Sequence, residues 1–238
     1  MKEAAFDYET EIPAGFYDRI YRRRRGIRYS WHDLKFRSVV EHLGRPNRVL
    51  DVGCGPGTFI GNYLDGVESL GVDLSATQIA YADETYGTPG HRFSTQSVGT
   101  LGMAGERFDA VTMIELIEHL PADEAIRLLS DVRKLLTPDG LLVVTTPNYA
   151  SLWPLIEIGV NALSPVSYID QHINKYRRGL FASHLAEAGY RNVKIRTVLG
   201  LAPFAAAFGP RAANALHELE SAVGHLGVGN LLLATARP

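Results

Sequence analysis

The stretch Val49-Leu50-Asp51-Val52-Gly53-Cys54-Gly55-Pro56-Gly57-Thr58 is an apolar run that breaks into a turn with glycine at every second position. Glycines let a backbone turn sharply and approach a ligand with no Cβ in the way. After the next apolar run comes Gly71-Val72-Asp73-Leu74-Ser75, which sets a carboxylate where a ribose diol would donate hydrogen bonds to it. Turn and acid together point to an adenosine-type cofactor contacted by Gly53, Gly55, Gly57, Asp73 and Leu74. A dinucleotide would set its pyrophosphate on a helix N-terminus, usually over G-x-G-x-x-G. Here the order is G-x-G-x-G with Asp51 two residues ahead. An acid repels a phosphate and attracts the amino group of a methionine moiety, so charge favours S-adenosylmethionine over a nicotinamide dinucleotide.

A second group lies in Ile114-Glu115-Leu116-Ile117-Glu118-His119-Leu120. Glu115, Glu118 and His119 stand at i, i+3 and i+4, so a helical turn there would project all three to one side. Two carboxylates and an imidazole can bind a hard divalent ion, or orient and deprotonate a substrate. The histidine can also merely close a structural hydrogen bond. Cys54, in the glycine turn, reads as a small filler, because the sequence places no histidine beside it.

These groups need a scaffold. From residue 48 onward apolar runs alternate with helical stretches, the pattern of a parallel sheet covered on both faces. The expected strands are Arg48–Val52, Ser69–Asp73, Arg92–Gln96, Phe108–Ile114, Gly140–Thr146, Asn192–Val198 and Leu231–Ala236, a doubly wound seven-stranded sheet. The expected helices are Thr58–Leu64, Ser75–Thr85, Pro121–Leu136 and Arg178–Ala188, with Ser75 and Asp123 as start signals. Residues 1–47 depart from the alternation, with helices expected at about Ala14–Arg24 and Trp31–Leu43, parted at Gly26. A second departure, residues 199–229, carries a helical stretch over Arg211–Leu226. Both can cover the crevice outside the carboxyl ends of the strands, so the expected organisation is a helical lid at 1–47 and a cofactor domain at 48–238 with an insertion.

Composition narrows the partners. The 238 residues are 46% hydrophobic and 21% charged, close to globular averages. The net charge of −2 supplies no whole-chain attraction to nucleic acid, and Arg22 to Arg25 with Arg28 read as a solvated charge run. One cysteine, an acidic start and the absence of a spanning apolar run suggest a reducing cytoplasm and no membrane span.

Three ordered motifs carry a resemblance: Val49–Gly57 with Asp73; Phe108–Leu120; and Leu135-Leu136-Thr137-Pro138-Asp139-Gly140 running into Leu141–Asn148. Over roughly residues 45–190 the chain resembles class I S-adenosylmethionine-dependent methyltransferases, most of all the branch with the ubiquinone-biosynthesis O-methyltransferases. The resemblance implies a Rossmann-like, mostly parallel sheet with a reversed last strand, the cofactor across the first two strands and an acceptor above the fourth and fifth. It implies that Gly53 and Gly55 line the methionine moiety and that Asp73 binds the ribose. Where the family often has an Asp for the adenine, this chain offers Gln96 or Ser97. The E-x-x-E-H pattern is similar to the metal-binding element of small-RNA 2′-O-methyltransferases, which recruit a later histidine; His172 is the candidate here. His119 is then the first choice for a base and His172 the second, beside Glu115. A divalent ion on Glu115, Glu118, His119 and His172 stands behind that choice, since nothing in the sequence turns His172 inward. Tyr29, Asn148, Trp153, Tyr168 and Tyr176 are the expected walls for a small, partly hydrophobic acceptor, methylated at oxygen or nitrogen. An aromatic face beside a sulfonium contributes about 0.5–2 kcal/mol. The alternatives are an enzyme of this fold that cyclises or cleaves the cofactor without methyl transfer, and a nicotinamide oxidoreductase.

Overall fold

The computed structural model describes residues 12–163, 171–223 and 229–238. Strands β1 (Arg48–Val52), β2 (Glu68–Val72), β3 (His91–Ser94), β4 (Phe108–Ile114), β5 (Leu136–Pro147), β6 (Arg191–Val198) and β7 (Leu231–Arg237) form one sheet in the order β3-β2-β1-β4-β5-β7-β6. Neighbours are parallel except where β7 runs against β5 and β6. The helices are α1 (Phe16–Arg22), α2 (Gly26–Leu43), α3 (Thr58–Tyr63), α4 (Ala76–Tyr86), α5 (Val98–Met103), α6 (Ala122–Leu135), α7 (Trp153–Leu163), α8 (Arg178–Glu187), α9 (Ala202–Ala205) and α10 (Pro210–Val223).

Alternation along each strand divides the core, because successive side chains of a strand point to opposite faces. Leu50 and Val52, Val111 and Met113, and Leu142 and Val144 join one cluster with Leu129 and Val132 of α6 and Phe181 and Leu185 of α8. Val49, Ala110 and Val143 face the other way, onto Leu34 and Val39 of α2 and Phe59 and Ile60 of α3. Both faces are therefore apolar, which is why the strands read as continuous hydrophobic runs.

Some boundaries differ from expectation for local reasons. β5 begins at Leu136 rather than Gly140, because Leu136 pairs with Phe108 across a register shift that absorbs Pro138 as an irregularity. Helix α5 was not expected from its glycines; Ser97 starts it by accepting the Thr100 N–H at 3.2 Å. Ser75 caps α4 through the Gln78 N–H, as expected, whereas Asp123 sits inside the first turn of α6 after Pro121. Helix α2 begins at Gly26, well before Trp31, and α7 was not foreseen. Tyr168, residues 1–11 of the N-terminal segment and residues 224–226 of the last expected helix lie outside the described residues. No helix of the described residues is long and apolar enough to cross a membrane.

Candidate functional site

A cavity of about 330 Å³ opens where β1, β2 and β4 end, the place at which open α/β sheets take ligands. Its floor is the glycine turn. Gly57 has φ +74°, and a Cβ there would come within 2.7 Å of the Phe93 ring. Gly55, at φ +50°, meets nothing within 4 Å, so its face opens on the cavity. The Gly55 N–H donates to Asp73 Oδ2 at 2.9 Å, and the Ser75 N–H donates to Oδ1 at 2.9 Å. Each carboxylate oxygen retains acceptor capacity for a diol. Asp51, buried at the end of β1, accepts the Thr112 hydroxyl at 2.6 Å; burial raises its carboxyl to about 7. Burial likewise pushes the Cys54 thiol up, in keeping with an inert filler.

Helices α1 and α2 wall the cavity opposite the sheet. At 3.6 residues per turn, Arg28, Trp31, His32 and Lys35 share one face of α2, and all four line it. Lys35, only 4% exposed, pairs with Glu115. Burial alone would raise the Glu115 carboxyl, but the charge and hydrogen bond of Lys35 outweigh it and hold it below the usual range. Glu115 takes φ +51°, a left-handed conformation that ends β4 at a cost of about 1–3 kcal/mol. Two anchors hold the N-terminal segment. Asp18 of α1, fully buried, accepts hydroxyl bonds from Thr58 (3.0 Å), Tyr81 (2.8 Å) and Tyr86 (2.6 Å). The Gln78 side chain accepts the Gly15 N–H and donates to the Ile12 carbonyl.

The far end of the cavity is polar. After Glu115 the chain makes a 3₁₀ turn over Ile117–His119. The Asn174 N–H donates to the Glu118 carbonyl at 3.0 Å, and Asn174 Nδ2 donates to the Leu120 carbonyl. These bonds draw the 171–174 loop onto the turn, so the His119 and His172 rings lie 5.1 Å apart. One donor atom each of Glu118, His119 and His172 lies within 4.8 Å of the others. His119 Nδ1 lies 3.0 Å from the Gln171 carbonyl; burial lowers its pKa to about 4 against the pull of the Gln171 and Glu115 backbones, which keeps the ring neutral. His172 Nδ1 meets Glu157 Oε1 at 2.6 Å and the Tyr149 hydroxyl at 2.8 Å, and burial lowers its pKa as well. Glu118 is fully buried. Its Oε2 accepts the Thr146 hydroxyl at 3.0 Å, its Oε1 has no hydrogen-bond partner among the described residues, and burial raises its carboxyl to about 8.

The structure thus gathers Asp51, Gly53, Gly55, Asp73, Glu115, Glu118, His119, Trp153 and His172 around one cavity. Gly57 shapes the turn from behind. Other expected contacts stand elsewhere. Leu74 is 86% exposed on the outside, because Ser75 rather than Leu74 turns inward to cap α4. Gln96 and Ser97 are exposed beyond β3, where Ser97 is committed to its cap. Tyr29 lies about 100° around α2 from Arg28 and donates to Asp33 instead. Asn148 is buried and donates to the Gly229 carbonyl at 2.8 Å, buttressing β7. Tyr176 is fully buried in the core, with its hydroxyl 3.0 Å from His184 Nδ1. The sequence reading gave no site role to Trp31, His32, Lys35 or Glu157. The first three share a face of the expected helix Trp31–Leu43, and the signal that could have found them is that helical spacing; Glu157 was a lone acid in an apolar stretch, a sign that it has a buried partner.

A family model described as a methyltransferase domain matches residues 21–195. The chain is 34% identical over 106 residues to a ubiquinone biosynthesis O-methyltransferase of Cereibacter sphaeroides, a stretch covering 42% of this chain and 41% of that one. It is 28% identical over 159 residues to the protein of the same name from Chromobacterium violaceum, covering 65% and 67%. The match thus spans about two fifths of the length of the first relative. Among solved structures, a SAM-dependent methyltransferase from Archaeoglobus fulgidus superposes with a TM-score of 0.64 at 19% identity over 98% of this chain and 100% of that one, a likeness of fold.

Proposed function

The chain belongs to the methyltransferase-domain family of S-adenosylmethionine-dependent enzymes, and from that membership we propose that it moves the cofactor's methyl group to an oxygen or nitrogen of a small, partly hydrophobic acceptor. One observation carries this reading: a single cavity joins the Asp51 and Asp73 turn to the Glu118, His119 and His172 group. Asp73 takes the ribose hydroxyls, Asp51 takes the amino group, and the open face of Gly55 lets the methionine moiety lie against backbone. The relatives' name, an O-methyltransferase, makes a hydroxyl the first acceptor to test.

Methyl transfer is an in-line displacement at the sulfonium carbon, so positioning supplies up to about 7–11 kcal/mol of the barrier. The neutral His119 ring is the group that would accept the nucleophile's proton. The oxygen–nitrogen donor set and the unpartnered Glu118 Oε1 also fit a divalent ion, whose charge would lower the pKa of an acceptor hydroxyl. In that case Glu118, His119 and His172 hold the ion, and Glu157 and Tyr149 orient His172. Glu115, bound to Lys35, is then no ligand but a tie between α2 and β4. Helices α1 and α2 act as the lid that excludes water.

Calorimetry with S-adenosylhomocysteine tests the cofactor end. Asp73→Ala should weaken binding at least tenfold, since charge-assisted hydrogen bonds contribute about 1.5–3 kcal/mol each. Unchanged affinity would remove the ribose assignment. Methylthioadenosine released without any acceptor would turn the reading toward cofactor cleavage.

A further inference from the structure

His217 is sealed inside the insertion before the last strand, and methyl transfer gives it no work. It lies on α10 at 2% exposure, on one helical stripe with Ala213 and Leu216. Neither ring nitrogen has a hydrogen-bond partner among the described residues. A buried polar group left so costs about 1–3 kcal/mol, which a leucine of similar volume would avoid. Helix α10 packs on α2, where Arg37 donates to Asn214 Oδ1 at 2.7 Å. The charged groups that act on His217 are Asp33, Arg37 and Glu41 of α2 and Glu220 of α10 itself. Residues 199–209, which pack along α10, carry no titratable side chain. Asp33 accepts the Tyr63 and Tyr29 hydroxyls, Glu220 accepts the Gly200, Leu201 and Ala202 N–H groups, and Glu41 is exposed. None of these acids is hydrogen-bonded to the ring.

We propose that His217 is a pH-sensitive latch: the neutral ring lets α10 seat on α2, and the protonated ring drives it off. The seat matters to the cavity because Glu220, one turn from His217, caps α9, and α9 presents Phe204 to the cavity. Asn230 holds the root of the insertion through the Leu199 and Gly200 carbonyls, so α10 can leave α2 while that root stays in place. The direction follows from solvation. In the seated form burial lowers the His217 pKa; Glu41, Glu220 and Asp33 oppose that effect and Arg37 adds to it. In the unseated form the ring is hydrated and titrates near the ordinary value of about 6.5. Seating is therefore at full strength above about pH 6.5 and weakens below it, by up to about tenfold per unit, until the seated ring itself takes a proton. No cofactor or acceptor takes part, so the latch stands or falls apart from the methyl-transfer reading.

Amide hydrogen exchange on the full chain, corrected for the intrinsic rate at each pH, reads the opening of α10, with α4 and α6 as internal references. In the wild type the opening constant of α10 should be flat above about pH 6.5 and rise at least threefold between about pH 6.5 and 5.5, while α4 and α6 stay flat. His217→Leu and His217→Gln, uncharged at every pH, should both remove that rise. Protection retained in α4 and α6 shows that a variant is folded. Should His217→Leu not fold, His217→Gln and the titration of the wild-type ring, followed by NMR, decide. A flat wild-type profile, a rise that survives in either variant, or a His217 ring that titrates at or above about 6.5 would overturn the latch.

Discussion

Gly55 donates its backbone N–H to the carboxylate of Asp73 at 2.9 Å, which fastens the turn after β1 to the end of β2. The same contact brings the negative charge of Asp73 near Asp51, and together with burial that charge disfavours ionisation of Asp51. The turn proposed to hold the cofactor is thus preformed, with one carboxyl raised toward neutrality by burial.

Affinity for a cationic amino group should depend on pH through Asp51. Only the carboxylate attracts the amine, and its carboxyl titrates at about 7 in the unliganded chain. S-adenosylhomocysteine binding should therefore be constant above pH 7.5 and weaken by up to about tenfold per unit as pH falls below 7, by linkage. Asp51→Asn should bind more weakly and lose this slope. Calorimetry from pH 5.5 to 8 reads both, and an identical slope in the variant would refute the assignment.

Chelation separates the two chemistries of the polar end. With a divalent ion on Glu118, His119 and His172, a chelator should suppress turnover, added Mg²⁺, Mn²⁺ or Zn²⁺ should restore it, and alanine at any of the three should be comparably damaging. Glu115→Ala should then act by loosening Lys35 and not by losing metal. If His119 works alone as a base, chelators do nothing and His119→Ala by itself costs about 10²–10⁴-fold.

Asp18→Ala removes the common acceptor of three hydroxyl groups. Leaving such buried donors unsatisfied costs about 1–3 kcal/mol. At about 2–4 °C per kcal/mol for a chain of this size, the midpoint should fall by roughly 2–12 °C. Limited proteolysis should then cut between α1 and α2 faster than in the wild type, and Asp18→Asn should lose less.

Tyr176→Phe checks a correction. Because Tyr176 is fully buried against Phe181 and His184, the change should leave the acceptor's KM within twofold and lower stability by about 0.5–1.5 kcal/mol, the net value of one hydrogen bond. A large rise in KM would return Tyr176 to the site.

How much of this was legible in the sequence depends on the range of the forces involved. The apolar runs at Arg48–Val52 and Phe108–Ile114 matched β1 and β4 residue for residue, because a strand buried on both faces announces itself locally. Asp51, Asp73 and the glycine turn were legible for the same reason: spacing alone sets their geometry. His172 was named in the sequence only through the family resemblance, because the bonds from Asn174 to Glu118 and Leu120 that place it join distant parts of the chain. Lys35 lay inside the expected helix Trp31–Leu43, but its partner Glu115 is 80 residues away, so spacing along the chain gave no reason to pair them. The errors at Tyr29, Asn148 and Tyr176 share one cause: polar or aromatic type was read as function where each group has a structural partner.

The antiparallel β7 bears on how the chain is assembled. Among the described residues β6 has no neighbour but β7, and β7 follows it in sequence. During synthesis the first five strands can pair in turn as they emerge, while Arg191–Val198 must wait with both edges unsatisfied until Leu231–Arg237 arrives. Unpaired edges of this kind invite association with other chains. Lys194 and Arg196 alternate along β6, and like charges on such an edge oppose edge-to-edge pairing during that interval, before the strand has its place in the finished sheet.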